Sequence, residues 1–290
     1  MSHSMRASRA HSLVVGDLIM SSSMKGHRQS ARIVAGVDVG NQTTKVVILR
    51  LDGTVMATVA ISVAEETVVA AEKAITVAVK KAGVPRGDLD HIVATGVGRN
   101  GVPFAQRTVS EVSCDAKGVT HLFPSARTVV DIGAEDARAL SCDEYGRVHD
   151  FVMNDKCASG AGVFVEAMAT ALELSLDEMA VLSLQSQNEV EINCTCAVFA
   201  ESEVVSLIHR QVPREDIARG IHDSIALRTT AMLRRVGIND DLVLIGGAAL
   251  NCGIVDALAR CTGRRVLVPD DPVMVGALGA ALYAIEGGRQ

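Results

Sequence analysis

From Arg32 onward the apolar residues fall into short runs broken by turn residues, the pattern of consecutive strands. Ile33–Val39, Thr44–Leu49 and Thr54–Ser62 are predicted as strands, separated by Gly40-Asn41 and by Asp52-Gly53, the second a strong hairpin signal. A helix should follow. Ser62 and Glu65 have the spacing of a capping box, and Val68, Ala71, Ile75, Ala78 and Ala82 recur on one helical face. Lys80 and Lys81 suit its negative end, and Gly83 and Pro85 stop it. His91–Thr95 reads as a strand and Ser110–Leu122 as a helix.

The same order then begins again. Thr128–Ile132 is a β run ending in Asp131 and Gly133, as the first run ends in Asp38 and Gly40. Strands Ala137–Ser141 and Val148–Met153 follow, hinged at Tyr145-Gly146. Helices are predicted at Ala161–Leu174, Ala197–Arg210 and Glu215–Val236, then strand Leu242–Ile245, helix Ile254–Arg260, strand Arg264–Val268 and a closing helix Val273–Ile285. Two βββα units, each opened by a strand ending in Asp-x-Gly, predict a duplicated two-lobe α/β protein. The expected division is a flexible extension over residues 1–30, lobe I over 31–125 closed by the helix at 273–290, and lobe II over 126–272.

Composition narrows the function. Apolar residues make up 48% of the 290 positions and charged residues 21%, enough for a substantial core. A net charge of −6 offers no basic face for nucleic acid, and five Phe, two Tyr and no Trp leave little for base stacking. The apolar run Val273–Ile285 is too short to span a bilayer, so no membrane partner is expected. Seven cysteines, an odd number without a signal-peptide pattern, point to reduced thiols and a cytoplasmic location.

The candidate chemistry lies in three glycine turns. Gly36–Lys45 bends around small and polar residues: Gly40 lets backbone N–H groups approach phosphate oxygens, Asn41, Thr43 and Thr44 add polar side chains, and Lys45 adds a cation. Asp38, at the strand end, is placed to hold Mg²⁺ through water. Asp131-Ile132-Gly133-Ala134-Glu135-Asp136 supplies a matching second hairpin, and Gly246-Gly247 with Asn251 a turn flat enough to lie against a nucleoside. Competing motifs fail. No Gly-Lys pair exists for a Walker A loop, and the dinucleotide-like Gly96-Val97-Gly98-Arg99-Asn100-Gly101 runs into Pro103 where a helix should start, so it reads as a structural loop.

Cys157, in Asn154–Gly162, and Cys196, in Asn193–Glu203, each stand just before a predicted helix. A thiolate there feels the positive helix end and suits a metal or an anionic cluster. On spacing alone two readings stand, small buried hydrophobes and cluster ligands. Cys114, Cys142, Cys252 and Cys261 show no pairing pattern and read as packing or surface residues, with Cys194 an extra thiol beside Cys196.

The hairpins, the adenosine turn and the closing helix resemble the actin, Hsp70 and hexokinase (ribonuclease H-like) ATPase fold. Gly36–Lys45, Ala94–Asn100, Asp131–Gly133, Asn154–Gly160, Thr195–Glu203 and Gly246-Gly247 together resemble the ATPase family of benzoyl-CoA reductase subunits and 2-hydroxyacyl-CoA dehydratase activators, over residues 33 to 286. That resemblance implies ATP and ADP as ligands and Asp38, Asp131 and Glu135 as catalytic residues. Gly40, Asn41, Thr43, Thr44, Lys45, Gly133, Gly246, Gly247 and Asn251 would bind the nucleotide. It further implies a homodimer or pseudo-dimer sharing one [4Fe–4S] cluster through Cys157 and Cys196, ferredoxin as electron donor, and catalytic acyl-CoA subunits as acceptor. Gly-Ala-Glu at 133–135, where dehydratase activators carry Gly-Gly-Gln, looks more like the benzoyl-CoA reductase branch, which is the expected function. A dehydratase activator and a small-molecule kinase of the same fold are the alternatives.

Overall fold

The structure, a computed structural model, describes residues 32–62, 66–154, 162–192 and 197–288. Strand β1 (Ile33–Val39) is buried on both faces along nearly its whole length, which is why its sequence is a continuous apolar run. It pairs antiparallel with β2 (Thr43–Arg50), which carries β3 (Val55–Ser62) at its outer edge. On its other side it runs parallel to β4 (Leu89–Thr95), followed by the two-residue β5 (Arg107–Thr108). One face of this sheet is covered by helix α1 (Thr67–Ala82) through Ala71, Ile75 and Ala78. The other is covered by α8 (Val275–Gly287) through Ala277, Ala280 and Ala281.

The second sheet repeats the first. β6 (Thr128–Ile132) takes the place of β1, pairing antiparallel with β7 (Ala137–Cys142) and parallel with β9 (Leu242–Ile245). β8 (Val148–Asn154) and β10 (Val266–Leu267) form its edges, so the strand order is the same in both sheets. One face packs against helices α3 (Gly162–Ala171), α4 (Leu176–Ser183), α5 (Ala197–His209), α6 (Arg214–Val236) and α7 (Cys252–Thr262), the largest apolar core of the molecule. The opposite face meets α2 (Glu111–Leu122), whose Ala116 and Val119 pack on Val129 and Leu140.

Helix α2 also lies along α8, so these two helices join the layers beneath both sheets. Their approach depends on small residues. A Cβ built on Gly279 would stand 1.9 Å from the carbonyl oxygen of Cys114, so no larger side chain fits.

The predicted elements fall largely where their patterns place them, with instructive exceptions. The capping box at Ser62 does not form: α1 starts at Thr67 with Glu66 at its N-cap and no side-chain cap, while Glu65 lies outside the described residues. A complete capping box exists elsewhere, at Ser175 and Glu178, and starts α4, a helix absent from the sequence reading. The helix expected over Ala161–Leu174 ends at Ala171, where Glu173 takes a left-handed conformation (φ 56°) and turns the chain into α4. The expected extension over residues 1–30 falls outside the described residues. Among the described residues no helix is long and apolar enough to cross a membrane.

Candidate functional site

The equivalence of the two sheets extends to individual side chains. In the first hairpin Asp38 is the register partner of Lys45, and in the second Asp131 is the register partner of Arg138. Both acids meet their cations: Lys45 Nζ lies 3.2 Å from Asp38 Oδ2, and Arg138 Nη2 2.5 Å from Asp131 Oδ2. Both turns close alike, with Gly40 N–H donating to the Thr43 carbonyl (3.0 Å) and Gly133 N–H to the Asp136 carbonyl (2.9 Å). Each acid is also abutted by the glycine that directly follows the neighbouring parallel strand. Gly96 (φ 90°) and Gly246 (φ 85°) have left-handed backbones, and a Cβ on either would come within 2.5 Å of the Asp38 or 2.2 Å of the Asp131 carboxylate. Only glycine satisfies both the conformation and the space.

The hairpins face one another across a cavity of about 370 Å³. Asp38, Gly40, Asn41, Thr43 and Lys45 line it from the first hairpin, and Asp131, Gly133 and Glu135 from the second. Gly246, Gly247 and Asn251 line a third side. At the hairpin tips the Asn41 side-chain amide donates to Glu135 Oε2 at 2.9 Å, bridging the cavity between residues 94 positions apart. The structure therefore gathers nearly all of the nucleotide-site candidates.

Thr44 is the exception. Strand alternation turns Thr43 and Lys45 toward the cavity and Thr44 away from it. Its side chain is fully buried, its hydroxyl has no hydrogen-bond partner, and it does not line the cavity. Asn251 lines the cavity but has a structural task as well, since its Oδ1 accepts from the backbone N–H groups of Gly253 (3.0 Å) and Ile254 (3.1 Å) and caps α7.

Arg138 has no counterpart in the sequence reading. It points from β7 toward α2, on the strand face shared with Leu140, and is only 6% exposed. Besides Asp131 it pairs with Glu111 of α2 and lies 4.0 Å from Asp115 and 3.6 Å from Asp136. Burial alone would lower the guanidinium pKa, but the surrounding carboxylates outweigh it and raise it. Burial pushes the carboxyls of Glu111 and Asp136 up against the pull of Arg138. Asp115 rises well above the usual range, through burial first and the charge of Asp131 second. The cavity floor thus holds five carboxylates, Asp38, Glu111, Asp115, Asp131 and Asp136, against Lys45 and Arg138, with Arg99 behind it 3.9 Å from Glu111. Leu176 and Asp177 of the unforeseen α4 line the far wall with Val165 and Glu166 of α3.

Cys157, Cys194 and Cys196 lie outside the described residues. The helices that follow them are described. α5 starts at Ala197, directly after Cys196, and α3 starts at Gly162 and packs against α5. The first residues of α3 are tied to the second hairpin: Gly162 N–H donates to the Gly133 carbonyl and Val163 N–H to the Ala134 carbonyl, each at 2.9 Å. Val198 and Phe199, in the first turn of α5, are 67% and 68% exposed. The remaining thiols behave as packing or surface groups. Burial pushes Cys114 up to about 12 and Cys142 to about 11, while Cys252 is exposed and Cys261 half-buried.

Two matching sheets whose hairpins face each other across a cleft, with a glycine turn on a third side, make the actin, Hsp70 and hexokinase type of α/β fold. A glucokinase of the ROK family from Streptomyces griseus shares this fold at a TM-score of 0.56 over 88% of this chain and 100% of its own, with 13% identity. The chain belongs to the BadF/BadG/BcrA/BcrD ATPase family, whose model matches residues 35–284. It is 42% identical over 255 residues to the 2-hydroxyisocaproyl-CoA dehydratase activator of Clostridioides difficile, covering 88% of this chain and 96% of that one. The structure of an activator of the 2-hydroxyisocaproyl-CoA dehydratase from Clostridium difficile with bound ADPNP superimposes with a TM-score of 0.83 and 41% identity, covering 89% of this chain and 96% of that one. A benzoyl-CoA reductase subunit from Thauera aromatica is 34% identical over 262 residues, 87% of this chain and 92% of its own. The greater likeness to an activator reverses the preference for the reductase branch drawn from Gly133-Ala134-Glu135.

Proposed function

We propose that this chain is an ATP-hydrolysing electron-transfer activator of a 2-hydroxyacyl-CoA dehydratase-type catalytic partner. The observation that carries the reading is the direct hydrogen bonding of α3 to the second phosphate hairpin, supported by the likeness to dehydratase activators. Gly40 and Gly133 would offer backbone N–H groups to the phosphates, Thr43 a hydroxyl and Lys45 a cation, with the nucleoside against Gly246-Gly247. Glu135 would orient the attacking water. As the water oxygen bonds to the γ-phosphorus, the bond from that phosphorus to the β–γ bridging oxygen breaks, and the water proton passes by way of the Glu135 carboxylate to the released phosphate. ADP leaves as the other product.

The cleft suits Mg²⁺. Its carboxylates outnumber its cations, and Asp131 Oδ1 is buried without a hydrogen-bond partner. Among the described residues no group of three or more metal-ligating side chains surrounds a single point, so Asp38 and Asp131 would hold the ion through water and phosphate oxygens. When bound, it neutralises charge on the transferred phosphoryl group.

Cys157 and Cys196 would supply two of the four thiolates of a [4Fe–4S] cluster, and a second protomer the other two. The exposed Val198 and Phe199 beside Cys196 fit a surface that a second protomer covers. A cluster held there would supply storage for a single low-potential electron, with ferredoxin as its donor. Residues 31–125 with 273–290, and residues 126–272, would act as two lobes. Closing them on ATP shifts the second hairpin and, through Gly162 and Val163, the helix that follows Cys157.

Anaerobic purification with iron analysis and electron paramagnetic resonance tests this directly. The unsubstituted protein should carry about four irons per dimer, and Cys157→Ala and Cys196→Ala should each lose them. Iron retained in both variants would remove the cluster from the reading. Activation of a 2-hydroxyacyl-CoA dehydratase component, without activation of a benzoyl-CoA reductase core, separates the proposed partner from the reductase alternative.

A further inference from the structure

We propose that Asn41 is a positioning residue for ATP hydrolysis, its side-chain amide holding the Glu135 carboxylate in place across the cleft. This rests on the reading of Glu135 as the group that orients the attacking water. Both residues sit in the turns of their hairpins, both line the cavity, and neither is buried there. A glutamate at a turn tip has three rotatable bonds and little packing to select among its rotamers. Here one interaction from the opposite sheet selects them, the 2.9 Å hydrogen bond from Asn41 Nδ2 to Oε2. It leaves the second carboxylate oxygen of Glu135 to accept from water, while Asn41 contributes no charge to a cleft already rich in carboxylates.

The residue types match this task. An amide nitrogen donates, a carboxylate only accepts, and a bond to a charged acceptor is stronger and more directional than one between neutral groups. The backbone around Asn41 already serves the phosphate turn through Gly40 and Thr43, so the side chain is not needed to close it. Because the bond spans the cleft, it forms only at one separation of the hairpins, and Glu135 is aligned when the cleft has that width.

A double-mutant cycle tests the assignment. Steady-state ATP hydrolysis is measured for the unsubstituted protein, Asn41→Ala, Glu135→Ala and the double variant, with nucleotide affinity measured separately by calorimetry. Both sites are turn positions outside the core, and thermal denaturation checks that each variant is folded. Glu135→Ala should lower kcat by about 100-fold or more, the scale of a lost acid–base group. Asn41→Ala should lower kcat by about tenfold, the scale of one hydrogen bond to a charged group, with little change in affinity. In the Glu135→Ala background, Asn41→Ala should have no further effect, because a positioning residue has nothing left to position. If the two losses multiply, or Asn41→Ala weakens affinity without touching kcat, Asn41 acts on the nucleotide itself and the proposal is overturned while the role of Glu135 stands. If Glu135→Ala leaves kcat intact, the underlying reading of Glu135 fails, and the proposal with it.

Discussion

Val163 N–H donates to the carbonyl oxygen of Ala134 at 2.9 Å, so the first turn of α3 is fastened to the second hairpin, which lines the cavity. Cys157 stands only a few positions before the start of that helix. Gly162, its neighbour in the same contact, has little room: a Cβ there would lie 3.1 Å from the Gly133 carbonyl oxygen. Gly162→Val should therefore pry the helix from the hairpin. The expected outcome is continued ATP hydrolysis with loss of any ATP-induced change in the electron paramagnetic resonance spectrum of the proposed cluster. An unchanged spectral response would remove the α3–hairpin contact as the link between nucleotide and the proposed cluster.

Thr43 and Thr44 are adjacent but should respond oppositely. Thr43→Val removes a hydroxyl from the cavity and should weaken ATP binding by roughly tenfold, about one hydrogen bond to a charged acceptor. Thr44→Val removes a buried hydroxyl that has no partner and should leave affinity unchanged and stability equal or higher. Calorimetric titration and thermal melting of the two variants decide the matter.

Arg138 should be among the most sensitive positions in the molecule. Arg138→Met leaves Asp131, Glu111, Asp115 and Asp136 without their shared cation inside the protein. Breaking a buried ion network from one side costs about 3–5 kcal/mol. Urea unfolding should show a loss of that order. Arg138→Lys should recover only part of it, because an ammonium cannot reach several partners as a guanidinium does.

His222 gives a pH dependence with a defined sign. It is buried in α6 beside Gly253 of α7, and burial lowers its pKa from 6.5 to about 4. The folded state binds this proton less tightly than the unfolded chain, so stability is full above pH 6.5 and is lost as pH falls toward 4. The loss amounts to about 3 kcal/mol from a shift of that size. Raised carboxyls such as Asp115 act in the opposite direction over part of this range, so the quantity to measure is the difference between the unsubstituted protein and His222→Leu. That difference should grow as pH falls from 7 to 4; a constant difference would contradict the assignment.

The duplicated strands, the facing hairpins and the glycine turn were legible in the sequence because each is local: an apolar run, an Asp-x-Gly end and a polar loop within about ten residues. Helix α4 was not, since its apolar pattern continues that of α3 and the break at Glu173 is a left-handed residue that no glycine announces. The Ser62–Glu65 spacing misled in the other direction, because a capping box matters only where the backbone enters a helix, and here it does so at Thr67. Arg138 was invisible for a different reason. Flanked by Ala137 and Ala139, it looks like the outward member of an alternating strand. Its partners Glu111 and Asp115 reach it only because α2 lies on that side of the sheet.

Lys45 and Arg138 occupy matching places in the two halves, yet they differ in freedom. Lys45 is ion-paired with Asp38 and keeps 17% of its side chain in contact with solvent, so it can swing from that partner to an incoming anion with little penalty. Arg138 is clasped from three directions and cannot leave. A fold built from two copies of one motif has thus become lopsided: one jaw is a movable finger, and the other an anvil bolted to the helix behind it.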